Sequence, residues 1–226
     1  MRRPSFVALL AAMLSLQALP CLAQGNSGVT LTFSANAVTA AGITPGKSAV
    51  FFASGLMPDG AQQGVVRWSQ IVSDDDRDGR VTLTMTNRIP SVTIWAVVDL
   101  TNGQFGVGSP GGFAPRVTRL VPGAFRRSGG SAAVDLFGFD HPVLDLLYVF
   151  PGKGAWTWNA VDGRAPFDRD GANGVTLVSV ADAKPLGDAN GKPSEFAAGG
   201  VLIAIDWYHM EVVTVRVDAA VLGGGH

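Results

Sequence analysis

The chain has 226 residues with 17 basic and 18 acidic side chains, a net charge of −1. That balance excludes the basic footprint needed to hold a nucleic-acid backbone, and no polybasic run offers itself to anionic lipid. A single cysteine excludes both an intramolecular disulfide framework and a zinc–thiolate cluster.

In chain order, the first element predicted is a secretory signal. Arg2 and Arg3 form a positive start, Phe6 to Leu19 an apolar stretch, and Cys21-Leu22-Ala23 a small-residue cleavage site. The apolar stretch falls short of the roughly 20 residues that span a bilayer. Cleavage after Ala23 would make Gln24 the first mature residue, remove the only cysteine and take the net charge from −1 to −3. Lipoprotein processing at Cys21 competes with this reading, but Leu19-Pro20 stand where small residues are expected. The mature chain carries no second apolar run of membrane-spanning length, so a protein exported to the periplasm or beyond is expected.

From there the pattern reads as strands. Val29 to Phe33, Ser48 to Ala53, Val65 to Val72, Val81 to Met85 and Val92 to Leu100 come first. Val117 to Val121, Ala132 to Phe137, Val143 to Phe150, Val175 to Val180, Val201 to Asp206 and Val212 to Val217 follow. They are β-branched, mostly alternating, and separated by Gly, Pro, Asn or Asp clusters. Twenty-nine glycines and 13 prolines suit a fold with many tight turns. An exported outer-membrane barrel is the competing all-β reading. Its strands need about 9–11 residues and aromatic girdles, and this chain has two tyrosines and a Gly223-Gly224-Gly225-His226 terminus.

A faint internal repeat runs through these strands. Asp78 to Leu83 echoes Asn173 to Leu177, Ile94 to Asp99 echoes Leu202 to Asp206, and Ser48 to Gly55 echoes Leu146 to Gly152. The predicted fold is therefore all-β, two tandem antiparallel β-sandwich domains after a cleaved signal peptide, with residues 1–23 as signal, 24–113 as the first sandwich and 114–226 as the second. Gly108 to Pro115 would be a linker or a long inter-sheet loop. In strand number, module length and lack of cysteine, Val29 to Val217 resembles bacterial exported immunoglobulin-like or fibronectin-III-like modules. The resemblance implies a spacer, adhesive unit or accessory binding domain at the cell envelope, with a protein or glycan ligand.

The first motif with chemical content is Asp74-Asp75-Asp76-Arg77-Asp78-Gly79. Asp74, Asp76 and Asp78 have the D-x-D-x-D-G spacing that aims carboxylates at one calcium ion, with Gly79 permitting the turn. The pattern departs from an EF-hand where it should close, since Met85 stands at the twelfth position and a strand follows. The plainer reading is a solvated hairpin turn in which aspartates favour the geometry and keep the edge soluble. Asp168, Asp170 and Asn173 form a looser second acidic loop with Asp162 nearby, and Asp188-Ala189-Asn190-Gly191 with Glu195 a third. Calcium is the only cofactor these loops suggest.

Trp156 and Trp158, two apart on a strand, share a face, and with Trp207 they could form a stacking platform for sugar rings. The alternative is the core of a sandwich, the role also expected of Trp68 and Trp95. Gly106-Val107-Gly108-Ser109-Pro110-Gly111 matches a dinucleotide fingerprint without the helix it needs, and reads as a flexible loop. His141 follows Asp140 and reads as a turn, and His209 falls at a hairpin between two strands. No G-x-S-x-G elbow accompanies either, and no catalytic residue is assigned. A small secreted hydrolase is the least favoured function.

Overall fold

The structure, a computed structural model, describes residues 27–56, 65–111, 116–119, 125–128, 131–139, 145–158, 174–180, 183–187, 196–207 and 209–217. The first half contains β1 (Thr30–Phe33), β2 (Ala37–Ala41), β3 (Ser48–Leu56), β4 (Val65–Ser73), β5 (Arg80–Thr84), β6 (Thr93–Asp99) and β7 (Phe105–Gly108). The second contains β8 (Arg116–Arg119), β9 (Phe125–Ser128), β10 (Ser131–Phe139), β11 (Asp145–Phe150), β12 (Gly154–Trp158), β13 (Gly174–Ser179), β14 (Lys184–Leu186), β15 (Val201–Asp206) and β16 (Glu211–Arg216). The protein is all-β, and among the described residues there is no α-helix, hence no helix long and apolar enough to cross a membrane.

The described strands form four sheets whose orders repeat. The first half gives β1-β2-β5 and β4-β3-β6-β7; the second gives β9-β10-β13 and a six-stranded sheet, β14-β12-β11-β15-β16-β8. Removing the edge strands β14 and β8 leaves β12-β11-β15-β16, the order of β4-β3-β6-β7. Among the described strands, pairing is antiparallel except between β8 and β16. The first half has a small counterpart to that exception, because Gly28 makes a parallel bridge to Phe105 on β7, beside an antiparallel one from Ser27.

Two cores follow from side-chain alternation along the β4-β3-β6-β7 sheet. Ala49, Phe51, Ala53, Trp95 and Val97 face β1-β2-β5 and pack on Val29, Leu31, Val38, Val81 and Leu83. The intervening Val50, Phe52, Ile94, Ala96 and Val98 face the other way, onto Leu147, Val149, Ala155, Val201, Ile203 and Ile205 of the six-stranded sheet. The second core therefore draws on both sides of the 113/114 boundary. A sheet covered on both faces needs apolar residues at every position, and β6, β7 and β15 are buried throughout. The alternating pattern expected from sequence survives on β2 and β5, whose outer faces are open to solvent.

One reading is corrected here. The glycine-rich segment from Gly106 is not a flexible loop at its start, because Phe105 to Gly108 is strand β7, fully buried and paired with β6. The glycines answer to packing: a Cβ on Gly106 would lie 2.5 Å from the Val29 carbonyl oxygen, and one on Gly108 3.0 Å from the Phe33 ring.

Candidate functional site

The acidic turn joins β4 to β5. Asp74 is buried, and its Oδ2 accepts the backbone N–H of Gly46 and of Gly79, each at 3.0 Å, while Oδ1 accepts that of Asp78 at 3.3 Å. Asp76 Oδ1 also accepts the Asp78 N–H at 3.3 Å, and Asp78 Oδ1 accepts the Arg80 N–H at 2.8 Å. Arg77 takes a left-handed backbone, φ 61°, to complete the turn. Desolvation pushes the Asp74 carboxyl up, but the Gly46, Gly79 and Asp78 N–H groups and its hydrogen bond to Asp76 outweigh it and hold the pKa below the usual 3.8. Asp76 moves the opposite way: its hydrogen bond with Asp74 raises it, and the neighbouring negative charges add to the rise.

Asp74, Asp76 and Asp78 each bring one oxygen into a group lying within 4.8 Å. Calcium takes six to eight oxygens, and these carboxylates already accept backbone N–H groups. The three aspartates fit an ion that keeps much of its water. Asp75, Asp76 and Asp78 also line an open cleft of about 460 Å³ together with Thr39, Thr82 and Arg80. The second and third acidic loops, Asp168, Asp170, Asn173, Asp162, Asp188, Asn190 and Glu195, lie outside the described residues, as does His141.

The three tryptophans offered for sugar stacking do not converge. Trp156 and Trp158 share a face of the six-stranded sheet but are 0% and 3% exposed, packed with Tyr148 and Phe196. A stacking platform needs an open ring face, and these have none. Burial also pushes the Tyr148 phenol above its ordinary pKa, against the Ala197 N–H that it accepts at 2.9 Å. Trp207 is half-buried at the opposite face, against the core shared by the two halves. Trp95 is buried and Trp68 half-buried, their rings stacked 5.7 Å apart.

His209 has an acidic partner, since its Nδ1 lies 2.8 Å from Oδ2 of the buried Asp206, whose Oδ1 accepts the His209 N–H at 3.0 Å. The ring sits on a hairpin and is 43% exposed. Asp99 plays the matching part at the β6–β7 hairpin, accepting the Thr44 N–H and hydroxyl at 2.7 and 2.6 Å and the Thr101 N–H at 2.7 Å.

Sequence reasoning missed a third polar group, at the shared core. Asp145 opens β11 with its side chain fully buried, accepts a short hydrogen bond from the Ser54 hydroxyl on β3, and takes Arg67 Nε of β4 on Oδ1 at 2.7 Å. Arg67 is 30% exposed. The available signal was a charge inside an apolar run, Val65-Val66-Arg67-Trp68 and Val143-Leu144-Asp145-Leu146-Leu147, because a charge in a buried strand requires a partner.

These observations define an all-β protein of packed, mainly antiparallel sheets whose buried carboxylates tie loops and sheets together. Compared with protein-family models, curated proteins and solved structures, the chain matches none.

Proposed function

We propose that the protein is an exported, non-catalytic binding or spacing unit of the cell envelope, built of two related fibronectin-III-like sandwiches fused face to face. The observation that carries this reading is the use of the buried carboxylates. Asp74, Asp99 and Asp206 each fasten a loop, and Asp145 fastens one sheet to the next. Such fastening makes a stiff body with well-held loops, which suits presentation of a surface. Export rests on the N-terminal pattern from Arg2 to Ala23. The partner in this reading is a cell-surface protein rather than a glycan, because two of the three candidate stacking indoles are buried.

The test is fractionation of cells expressing the full chain, followed by binding of the purified protein to isolated envelopes. The reading expects a product beginning at Gln24 outside the cytoplasm, and saturable binding that protease treatment of the envelopes abolishes. Binding that survives proteolysis but not glycan removal would favour the carbohydrate reading. Cytoplasmic retention without saturable binding would overturn both.

Calcium enters this reading as a weakly held stiffener of the Asp74 to Asp78 turn. Millimolar calcium should raise the melting temperature, chelator should reverse the rise, and Asp76→Asn with Asp78→Asn should abolish it. An identical melt with calcium and with chelator removes the ion from the account.

A further inference from the structure

Matching the two halves by register shows that the Ser54–Asp145–Arg67 group occupies only one of two equivalent places. The β6–β7 and β15–β16 hairpins superpose in pattern from Asp99 onto Asp206. Six residues separate the Val98↔Phe105 pair, six the Ile205↔Val212 pair, and the fifth is left-handed in both, Gly103 and Met210. Across the next ladder, Val50 pairs with Val98 and Asp145 with Ile205, so Asp145 corresponds to Val50. Ser54 pairs with Ile94 and Val149 with Val201, so Ser54 corresponds to Val149. Arg67 lies opposite Ser54 and Ala155 opposite Val149, so Arg67 corresponds to Ala155. Val50, Val149 and Ala155 are all fully buried in the shared core. Three apolar positions at one place are thus matched by a serine, an aspartate and an arginine at the other.

Stability alone gives no reason for that exchange, since apolar groups of similar volume fill such a space without desolvating charges. The polar set supplies a guanidinium of fixed orientation. Asp145, held by Ser54, grips Arg67 through Nε, and among the described residues the terminal nitrogens Nη1 and Nη2 meet no acceptor. Those two nitrogens present N–H groups in one plane, a match for both oxygens of a carboxylate. Trp207 and Met210 pack half-buried on the same core in the hairpin that follows Ile205, the cross-strand partner of Asp145. They give this end of the sheet an apolar border.

We propose that Arg67, oriented by Asp145 and Ser54, is a binding site for the carboxylate of a small organic acid. Asp145 balances the charge of Arg67, so recognition rests on the directional fork rather than on net charge. Chloride therefore does not compete effectively.

The test is a titration of the isotope-labelled full chain with acetate and with its neutral isostere acetamide, at constant ionic strength set with sodium chloride. Acetate should shift the Arg67 Nε–H and Ser54 amide signals saturably, at least about ten-fold more tightly than acetamide. Arg67→Lys keeps the charge, loses the fork and should weaken acetate about ten-fold. The triple variant Ser54→Val, Arg67→Ala, Asp145→Val copies the apolar place and should fold without binding acetate. Shifts that rise linearly and match those of chloride or acetamide overturn the proposal, as does unchanged acetate binding in the triple variant. The acetate–acetamide comparison on the unaltered protein decides the matter even if a variant fails to fold.

Discussion

Asp74 works as a cap for the backbone of two turns. Its two oxygens satisfy three backbone N–H groups from the segments around Gly46 and Gly79, and that of Gly79 is buried and needs a partner. Because its pKa in the folded protein lies below 3.8, its contribution to stability is present above the unfolded value and is lost as pH falls through the folded one. Asp76, raised above 3.8, acts in reverse: its contribution is present at low pH and is lost as pH rises through its folded value. The expected outcome for Asp74→Asn is a melting temperature below that of the unaltered protein at neutral pH, with the gap closing in strong acid. Melting curves across the acid range check this, and a gap independent of pH would contradict the assignment.

At the scale of elements, β7 shows how backbone contact dictates sequence. Gly106 lies where a Cβ would meet the Val29 carbonyl oxygen, a backbone atom that moves only with its strand. Gly106→Ala should therefore destabilise the protein by about 2 kcal/mol, in the range of overpacked cores, measurable by urea unfolding. The longer strands were legible because β-branched runs announce them, and each of the eleven expected runs overlaps a described strand. The four strands not anticipated, β2, β7, β9 and β14, are short or rich in Gly and Ala, such as Ala37–Ala41 and Phe105–Gly108, where propensity is weak and pairing partners decide. The acidic turn was legible as a turn from its aspartates and Gly79. The polar group at Asp145 was not, because its members lie 13 and 78 residues apart (Ser54 to Arg67, Arg67 to Asp145) and meet only through sheet packing.

For the whole molecule, the decisive feature is that the core containing Val50, Phe52, Ile94, Leu147, Ile203 and Ile205 belongs to both halves. Each fully buried Val, Ile, Leu or Phe there contributes about 1.5–3 kcal/mol, so separating the halves would expose a large apolar face. Within that core, Asp145→Ala should cost about 3 kcal/mol, since it strands Arg67 and Ser54 at the edge of an apolar interior. The triple replacement by Val, Val and Ala should instead cost less than that single change, since it removes the buried charge together with its partners. Chemical denaturation of both variants tests the contrast.

The shared core also makes a claim about cooperativity. Two sandwiches joined only by a linker would unfold one after the other, whereas two that bury one core between them should unfold together. Scanning calorimetry of the protein tests this most directly. A core shared by both halves gives a single transition whose calorimetric and van't Hoff enthalpies agree. Two resolved transitions, or a calorimetric enthalpy near twice the van't Hoff value, would contradict it.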